Sequence, residues 1–420
     1  MSLHPRSWDL PVGVVDTAPN SHDTELPPYA IEYADGSFET YGRGTPQFKI
    51  VVANRAHFER LFGLDAYSLA MKFVRGEFSI EGDLLAAFRF YRTRSHSPMW
   101  NGVLAAIAKL GLDRFEGWFQ SRNRAAQNIR FHYDQSNEFY AQFLDSRMVY
   151  SCAYFHHPDE CLEDAQLRKI EQICRKLNFK PGESFLDVGC GWGGLITQAA
   201  EEYGTLSTGC TLSLEQFKFA SRRVVDRGLA SKVRIELSDY RDIQGPFDKI
   251  ASIGMFEHVG RRRMKKYLAT LNRLVRPGGL VLNQGVTRPE TVSDDAETFF
   301  VRRQVFPGGE IPSLSGLLRS AECAGFEVLD VENARPHYAL TCRAWFERLQ
   351  KNATQCLRYV DRAVYRTWLL AFAASAVCFE QGSLNLTQAL LYKPGPAATR
   401  PFTREYMYGL TANSGERPQR

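Results

Sequence analysis

The sequence has no apolar run long enough to cross a bilayer. Its most apolar stretch, WLLAFAASAVCF at 368–379, lies between Arg366 and Glu380. A transmembrane helix needs about 20 apolar residues, so we predict a buried helix here instead. The opening residues, MSLHPRSWDLPVG, contain no apolar segment of the kind found in secretory signal peptides. We therefore expect a cytoplasmic protein.

Cysteine pairs at metal-binding spacing are also absent. The nine cysteines include no CxxC pair and no Cys/His cluster, which argues against structural zinc, and we predict no metal. An odd number of scattered cysteines fits a reducing compartment better than a disulfide framework. The hydrophobic fraction of 44% and the charged fraction of 24% are ordinary for a globular chain, and 420 residues leave room for two or three domains.

A strong positive charge is missing as well. The formal net charge of +5 is too small to indicate nucleic-acid binding by itself. Two segments, RRRMKK (261–266) and SRNR (121–124), are locally basic. Their composition fits either a solvated helix surface or an attraction to anionic lipid headgroups, and it does not decide between the two.

Composition and periodicity divide the chain into five segments. We predict a flexible arm, a small α+β domain, a connector, an α/β domain and a disordered tail, at residues 1–28, 29–91, 92–127, 128–394 and 395–420 respectively. Within the small domain we expect a hairpin in AIEYADGSFETYG that turns at Asp35-Gly36, and a strand in PQFKIVVA. The stretch GEFSIEGDLLAAFRFYR is typical of a turn that leads into an amphipathic helix.

Strands and helices alternate through the α/β domain. Strands are predicted at 184–188, 206–210, 232–236, 247–253, 279–284 and 326–331, and helices near 193–203, 213–227, 262–275 and 313–324. This alternation favours a parallel, doubly wound sheet. A helical region at 341–381 follows, and LNLTQALLY (384–392) predicts one last strand.

A glycine-rich loop follows the first of these strands. In FLDVGCGWGG, Gly189, Gly191 and Gly194 fit G-x-G-x-x-G behind an apolar strand, which lets backbone approach a nucleotide closely. The loop alone is compatible with NAD, FAD and S-adenosylmethionine. A dinucleotide site expects an acid at the end of the second strand, but that strand ends STGCTLS (207–213). Asp239 instead follows the third strand, where it is placed to accept from an adenine amino group.

With the Pro-Gly-Gly turn of LVRPGGLVLNQ, this order of segments resembles a class I S-adenosylmethionine-dependent methyltransferase. The resemblance implies a Rossmann-like doubly wound α/β sheet with a final antiparallel strand, preceded here by the small α+β domain. It also implies S-adenosylmethionine as the cofactor, with Asp187 near the ammonium group of its methionine part.

Six motifs carry a more specific resemblance. These are YSCAYF (150–155), LDVGCGWGG, CTLSLEQ (210–216), SIGMFEHVG (252–260), VFPGG (305–309) and RPHYALTCRAWFERL (335–349). In this order they look like the cyclopropane fatty acid synthase family, which includes the mycolic acid cyclopropane synthases. The similarity spans roughly residues 128–393. The N-terminal YGRGTPQFKI and FSIEGDL are similar to the extra domain of the phospholipid-acting members, which implies a lipid-associated role for residues 29–91.

The resemblance assigns roles to individual residues. The cofactor would contact Tyr150, Ser151, Gly189 and Gly191 at its methionine part, Thr211, Leu212 and Gln216 at the ribose and adenine, and Tyr240 beside the adenine. Cys152, Glu257 and Tyr338 would hold a bicarbonate ion that serves as the catalytic base, Cys152 through its backbone N–H. The resemblance gives His258 no direct role, and we expect it to be structural.

The implied chemistry needs a dry, aromatic site. Methyl transfer to an alkene leaves a carbocation on the acyl chain, which water would trap and which aromatic faces stabilise. Tyr150, Tyr154, Phe155 and Phe256 are the candidate lining residues. A base then removes a proton from the new methyl group so that the ring closes.

Two positions depart from the family pattern. Gln284 stands where the family has a histidine that donates to the bicarbonate, and Val286 stands where it has isoleucine. A glutamine amide donates the same hydrogen bond but carries no proton away. A cyclopropane product and a methylene- or methyl-branched chain therefore both stay open.

The resemblance implies an enzyme that methylates unsaturated phospholipid at the inner face of the membrane, where it would be peripherally associated. Nucleic acid is not an expected partner, and a homodimer is left open. Two other functions are weighed, namely a lipid-binding protein with a degenerate methyltransferase domain and a small-molecule N- or O-methyltransferase. The intact glycine loop, Gln216 and Glu257 argue against the first, and the N-terminal domain argues against the second.

Overall fold

The computed structural model describes residues 27–62, 64–95, 136–292, 300, 303–305, 309–395 and 402–408. The chain divides into two compact units, Met1–Gly102 and Val103–Arg420. The predicted arm at 1–28, the predicted connector at 92–127 and the basic segment at 121–124 lie almost entirely outside the described residues. The exceptions are 27–28, at the end of the predicted arm, and 92–95, which the connector prediction includes but which end a helix.

The N-terminal unit is a four-stranded sheet with three described helices. Its elements are β1 (Tyr29–Tyr33), β2 (Phe38–Tyr41), β3 (Phe48–Val52), α1 (Arg55–Phe62), α2 (Ala66–Arg75), β4 (Ser79–Gly82) and α3 (Leu84–Ser95), with strand order β2-β1-β3-β4. Strands β1 and β2 form the predicted hairpin, with Gly36 at a φ of 84° in its turn. The predicted turn lies at 76–78 and the predicted helix is α3, but Ser79–Gly82 between them pairs with β3 as an edge strand that was not predicted, because it is too short for alternation to reveal.

The C-terminal unit carries the alternation expected from the sequence. Its elements are α4 (Asn137–Tyr140), α5 (Leu162–Leu177), β5 (Ser184–Val188), α6 (Gly194–Tyr203), β6 (Leu206–Thr211), α7 (Leu214–Asp226), β7 (Val233–Leu237), β8 (Phe247–Ile253), α8 (Met264–Leu274), β9 (Val275–Thr287), α9 (Leu314–Cys323), β10 (Glu327–Asn333), α10 (Arg335–Lys351), α11 (Ala353–Cys356), α12 (Arg362–Gln381) and β11 (Asn385–Tyr392). Helix α5 was not predicted, because polar residues on its buried face interrupt the apolar period.

The seven strands form one sheet in the order β10-β11-β9-β8-β5-β6-β7. Strand β11 runs antiparallel to both β9 and β10, and the pairs from β9 to β7 are parallel. The predicted doubly wound fold with a final antiparallel strand is thus confirmed. The chain leaves β5 toward β6 on one side and returns at β8 on the other, so the carboxyl ends of these strands form the topological switch point where such sheets bind ligands.

Successive residues of a strand point to opposite faces of the sheet, and each face packs into its own hydrophobic core. Phe185 packs with Ile170 and Ile173 of α5, whereas its neighbour Leu186 packs with Leu268 and Leu271 of α8. This alternation follows from the pleat of a strand covered on both sides. Within the described ranges, no helix combines the length and the apolar character needed to cross a membrane, including the buried α12.

Part of the predicted disordered tail is placed on this core. Residues Glu405–Tyr408 form a 3₁₀ turn, and Met407 is 4% exposed within the cluster that contains Ile170. Arg404 donates to the carbonyl of Leu329 on β10. The prediction of disorder is therefore wrong for 402–408, because a Gly/Pro/Arg/Thr-rich composition does not show that one apolar side chain anchors the segment.

Candidate active site

One cavity opens at the switch point of the sheet. Its walls include all ten residues predicted to bind the cofactor, namely Tyr150, Ser151, Asp187, Gly189, Gly191, Thr211, Leu212, Gln216, Asp239 and Tyr240. These residues come from the loop before α5, the ends of β5, β6 and β7, and the first turn of α7. The structure thus brings the predicted set together, while the role of each residue stays a prediction.

The positions of the loop after β5 require glycine for different structural reasons. Gly189 and Gly191 have positive φ values of 78° and 53°, in the left-handed region that disfavours side chains. A Cβ at Gly191 would meet nothing within 4 Å, since the position faces open space. A Cβ at Gly194 would lie 3.0 Å from Val149 Cγ2, so this glycine serves close packing against the preceding loop.

A pair of buried charged groups lies at the end of the cavity nearest α5. Asp187 is 3% exposed, and burial raises the pKa of its carboxyl to about 7. Lys169 also lines the cavity and donates from Nζ to Ser151 Oγ over 2.9 Å. Burial lowers the pKa of Lys169 to about 8. Sequence reasoning missed Lys169, because nothing in the local pattern of α5 marks it as part of this site.

The other end of the cavity is preorganised by hydrogen bonds among the predicted residues. Thr211 donates from Oγ1 to Gln216 Oε1 over 2.7 Å. Asp239, predicted to accept from adenine, is held by Arg241, whose Nε donates to Oδ1 over 2.7 Å while an Nη atom contacts Oδ2. The backbone N–H of Arg241 also donates to Oδ1 of Asp239. Tyr240 packs edge-on against Tyr267.

The five predicted catalytic residues form a second group around strand β9. Cys152 and Val286 pack with Tyr338 in one apolar cluster. The Val286 N–H donates to Glu257 Oε1 over 2.7 Å. Gln284 lies two residues before Val286 and accepts at Oε1 from Gln388 Nε2 on β11, over 2.9 Å. Gln284 and Val286 share one face of β9, because alternate residues of a strand point the same way, and Glu257 is joined to the strand through the Val286 N–H.

Glu257 is unusual among these residues. Its Oε2 atom is buried and has no hydrogen-bond partner in the described part of the chain. Burial raises the pKa of the carboxyl to about 7, although the Val286 N–H acts in the opposite direction. The carboxylate lies against Gly285, where a Cβ would be 2.8 Å from Oε2 and 2.6 Å from the Phe256 ring. Gly285 was not singled out in the sequence, and it is what allows Glu257 to lie over β9.

The four aromatic residues predicted to surround the acyl-chain cation differ in their relation to the cofactor cavity, and their role stays a prediction. Tyr150 lines the cavity and packs on Trp345, with ring centroids 5.0 Å apart. Tyr154, Phe155 and Phe256 are not among the described residues that line it. Phe256 is fully buried, and Tyr154 donates from its hydroxyl to Glu332 while it stacks on His337.

His258, expected to be structural, lines the cavity wall, and burial lowers its pKa to about 4, so the imidazole is neutral near pH 7. Of the VFPGG motif, only Val305 and Gly309 are among the described residues.

The strand order and this site define a class I S-adenosylmethionine-dependent methyltransferase. The open side of Gly191 and the buried carboxylate of Asp187 suit the methionine part of that cofactor. The family model for mycolic acid cyclopropane synthetase matches residues 120–389. The chain belongs to this family.

Individual relatives differ in their described activities. The chain is 40% identical over 372 residues to a probable fatty acid methyltransferase of Pseudomonas putida, a match that covers 87% of this chain and 92% of the relative. It is 37% identical over 287 residues to the tuberculostearic acid methyltransferase UfaA1 of Mycobacterium tuberculosis, covering 66% of this chain and 67% of the relative.

A solved structure, mycolic acid cyclopropane synthase CmaA1 complexed with SAH and CTAB, is similar over 64% of this chain and 98% of that chain, with 32% identity and a TM-score of 0.61. Since Val103–Arg420 makes up about three quarters of the sequence, the Pseudomonas match also reaches into the N-terminal unit.

Proposed function

We propose that this enzyme methylates the double bond of unsaturated acyl chains in membrane phospholipid and forms a cyclopropane ring. The observation that carries the proposal is the buried, unpartnered Oε2 of Glu257. The other carboxylate oxygen accepts from the N–H of Val286, whose side chain packs with Cys152 and Tyr338. An isolated buried acceptor is costly, and a small anion with a hydroxyl group would satisfy it. Bicarbonate has that chemistry, and it would supply the base that removes a proton from the new methyl group.

The residues around this acceptor suit a bicarbonate ion. Glu257 would accept the hydrogen bond of the bicarbonate hydroxyl, while the Val286 N–H keeps the carboxylate in place through its other oxygen. The resemblance to the family gives the Cys152 N–H and the Tyr338 hydroxyl as donors to the remaining oxygens. Donors fixed in this way position the anion relative to the substrate and set which proton it can remove.

The cavity residues would handle the methyl donor. When bound, S-adenosylmethionine supplies an electrophilic methyl group on a sulfonium. Ser151, Asp187 and Gly191 border the end of the cavity that suits its methionine part, and Thr211 and Gln216 border the end that suits its nucleoside. Tyr150 lies between this cavity and the aromatic group around Trp345, where its ring face would stabilise a cation on the acyl chain without attacking it.

The surroundings of the catalytic group would exclude water from that cation. Ala334 and Leu386 are buried next to Cys152, and partly buried Val286 and Tyr338 pack against them. This apolar wall matters because hydration would end the reaction at an alcohol.

A branched acyl chain is the second candidate product. Gln284 replaces the histidine of the family pattern, and its amide cannot relay a proton. The two curated relatives described above are named as methyltransferases, and neither is named as a cyclopropane synthase. A 1,2-hydride shift would then move the positive charge to the methylated carbon, and loss of a proton from the methyl group would give a methylene-branched chain. Loss of a proton from a neighbouring chain carbon would instead give a methyl-branched alkene.

The proposed site of action is the inner face of the membrane. Arg261, Arg262, Lys265 and Lys266 are exposed, and Arg263 and Lys266 border the cofactor cavity. A basic surface near the site would hold an anionic bilayer close to the catalytic group, each cation contributing roughly 1 kcal/mol.

Lipid analysis of a host that expresses the protein tests the proposal, with a Glu257→Ala strain as the control. NMR of the methylated acyl chains should show upfield ring protons that the control lacks. Vinylidene protons without ring protons would establish the branched product. Acyl chains unchanged from the control would reject unsaturated phospholipid as the substrate.

A further inference from the structure

Helix α5 carries a buried polar face of four residues, Gln166, Lys169, Gln172 and Lys176. The first two reach the loop before the helix: Gln166 donates to the carbonyl of Ser151 over 2.9 Å, and Lys169 donates to its hydroxyl. The last two reach β10. Spacings of three and four residues place all four on one side of the helix.

The two buried lysines of this face have different surroundings. Lys176 is 1% exposed and contacts two carboxylates, Asp330 at 3.2 Å and Glu332 at 2.5 Å. Lys169 is 3% exposed, yet within the described residues it has no carboxylate within 4.0 Å, and Ser151 Oγ is the acceptor it contacts. An ammonium group has three donors, and a buried cation normally has a counter-ion. Lys176 is thus satisfied by the fold, whereas Lys169 is not.

Asp187 is likewise a buried charged group without a counter-ion in direct contact, and its charge is opposite to that of Lys169. It is 3% exposed and lines the same cavity, and its carboxylate accepts no hydrogen bond from the residues that the structure describes. Burial shifts the pKa of each group toward its neutral form, to about 7 for Asp187 and about 8 for Lys169. Two opposite charges that share a cavity without direct contact leave room for a ligand that carries both.

We infer that Lys169 is a cofactor-binding residue whose ammonium group pairs with the carboxylate of the methionine part of S-adenosylmethionine. Asp187 takes the ammonium group of the same ligand. Ser151, which accepts from Lys169, keeps the lysine side chain directed into the cavity. This inference concerns the cofactor alone, so it stands or falls independently of the acyl product.

The direct test compares two ligands that differ in one group. Decarboxylated S-adenosylmethionine keeps the sulfonium, the nucleoside and the amino group but lacks the carboxylate. By calorimetry, wild-type protein should bind S-adenosylmethionine on the order of 10 to 100 times more tightly than the decarboxylated ligand, as expected for a charge-assisted pair. Lys169→Met should abolish this preference by weakening S-adenosylmethionine binding alone.

Three variants separate cofactor pairing from structural support. Lys176→Met removes a buried lysine of the same helix and should lower the melting temperature while the ligand preference stays. Lys169→Arg retains the charge and should retain part of the preference. Asp187→Asn should weaken both ligands, because both carry the amino group.

Two results would overturn the inference. Equal affinity of the wild type for the two ligands would show that no residue pairs with the carboxylate. An equal loss of both ligands in Lys169→Met would show that Lys169 only supports the Ser151 loop. The wild-type comparison needs no variant, so a variant that fails to fold does not remove the test.

Discussion

Gln388 donates a hydrogen bond from Nε2 to Oε1 of Gln284, 2.9 Å away, across the antiparallel pair β11–β9. Both side chains are buried, at 3% exposure. The bond uses the acceptor of the Gln284 amide and so leaves its N–H₂ group as the part available to a neighbouring anion. With its oxygen engaged by Gln388, Gln284 keeps a donor group, and donation is the role that the resemblance gives to the histidine at this position.

We predict that Gln284→His retains or raises cyclopropane formation. Imidazole donates as the amide does and, in addition, binds and releases a proton. The measurement is the ratio of ring to vinylidene protons in NMR spectra of acyl chains made by the purified enzyme. A fall in that ratio would contradict a donor role for Gln284.

Gln388, which holds the side chain of Gln284, gives a separate prediction. Gln388→Leu should slow turnover by about tenfold, a typical loss for one positioning hydrogen bond of roughly 1.4 kcal/mol. Cofactor affinity should not change, since neither Gln388 nor Gln284 lines the cavity among the described residues. A loss of affinity that matches the loss of rate would instead indicate a general disturbance of the sheet.

Glu257→Gln should slow methyl-transfer turnover by at least about 100-fold, a size typical for loss of acid–base chemistry. The amide keeps the shape but presents a donor where the structure has the unpartnered Oε2 acceptor. Single-turnover kinetics measures the rate, and calorimetry should show cofactor affinity within about twofold of the wild type. Depletion of bicarbonate should slow the wild type and leave the residual rate of the variant unchanged.

Local sequence patterns predicted the glycine loop and the order of the α/β elements, because a strand, a tight turn and a helix start are specified within a few residues. Lys169, Gly285 and Gln388 were missed because their roles depend on pairing between distant segments. The contact of Gln388 with Gln284 follows from the register of β11 on β9, which no local pattern determines. The anchoring of the tail by Met407 likewise depends on a core built elsewhere.

Gly191→Val should abolish binding of S-adenosylmethionine. The side chain would project into the open cavity from a backbone φ of 53°. Gly228→Val is a matched control, since Gly228 has a φ of 69°, also faces open space and lies after α7, outside the set of cavity residues. Both variants should lose roughly 1–2 kcal/mol of folding stability from the left-handed backbone. Calorimetry should show that only the first loses the cofactor.

Cofactor affinity should depend on pH through Asp187. Its pKa is raised to about 7 by burial, so the carboxylate is charged above that pH and neutral below it. The nearby charge that favours the carboxylate is Lys169, and Asp145 in turn acts on Lys169. Affinity should therefore fall by up to tenfold for each pH unit below about 7. Calorimetry across this range measures the slope, and Asp187→Asn should flatten it; an unchanged slope would assign the titration to another group.

Binding to anionic vesicles should depend on the exposed cations just before α8 and in its first turn. Arg262 and Lys265 are exposed there and are not among the residues that line the cavity, so Arg262→Gln/Lys265→Gln leaves the cofactor site intact. At roughly 1 kcal/mol each, the pair should lower vesicle affinity by about 30-fold. The control Arg222→Gln/Lys232→Gln removes the same charge from an exposed surface elsewhere.

Cosedimentation should show the loss of vesicle binding for the Arg262/Lys265 pair alone. Added salt should weaken wild-type binding, because headgroup attraction is screened over about 8 Å at physiological ionic strength. Equal losses for the two pairs would mean that net charge, and not this surface, determines membrane attachment.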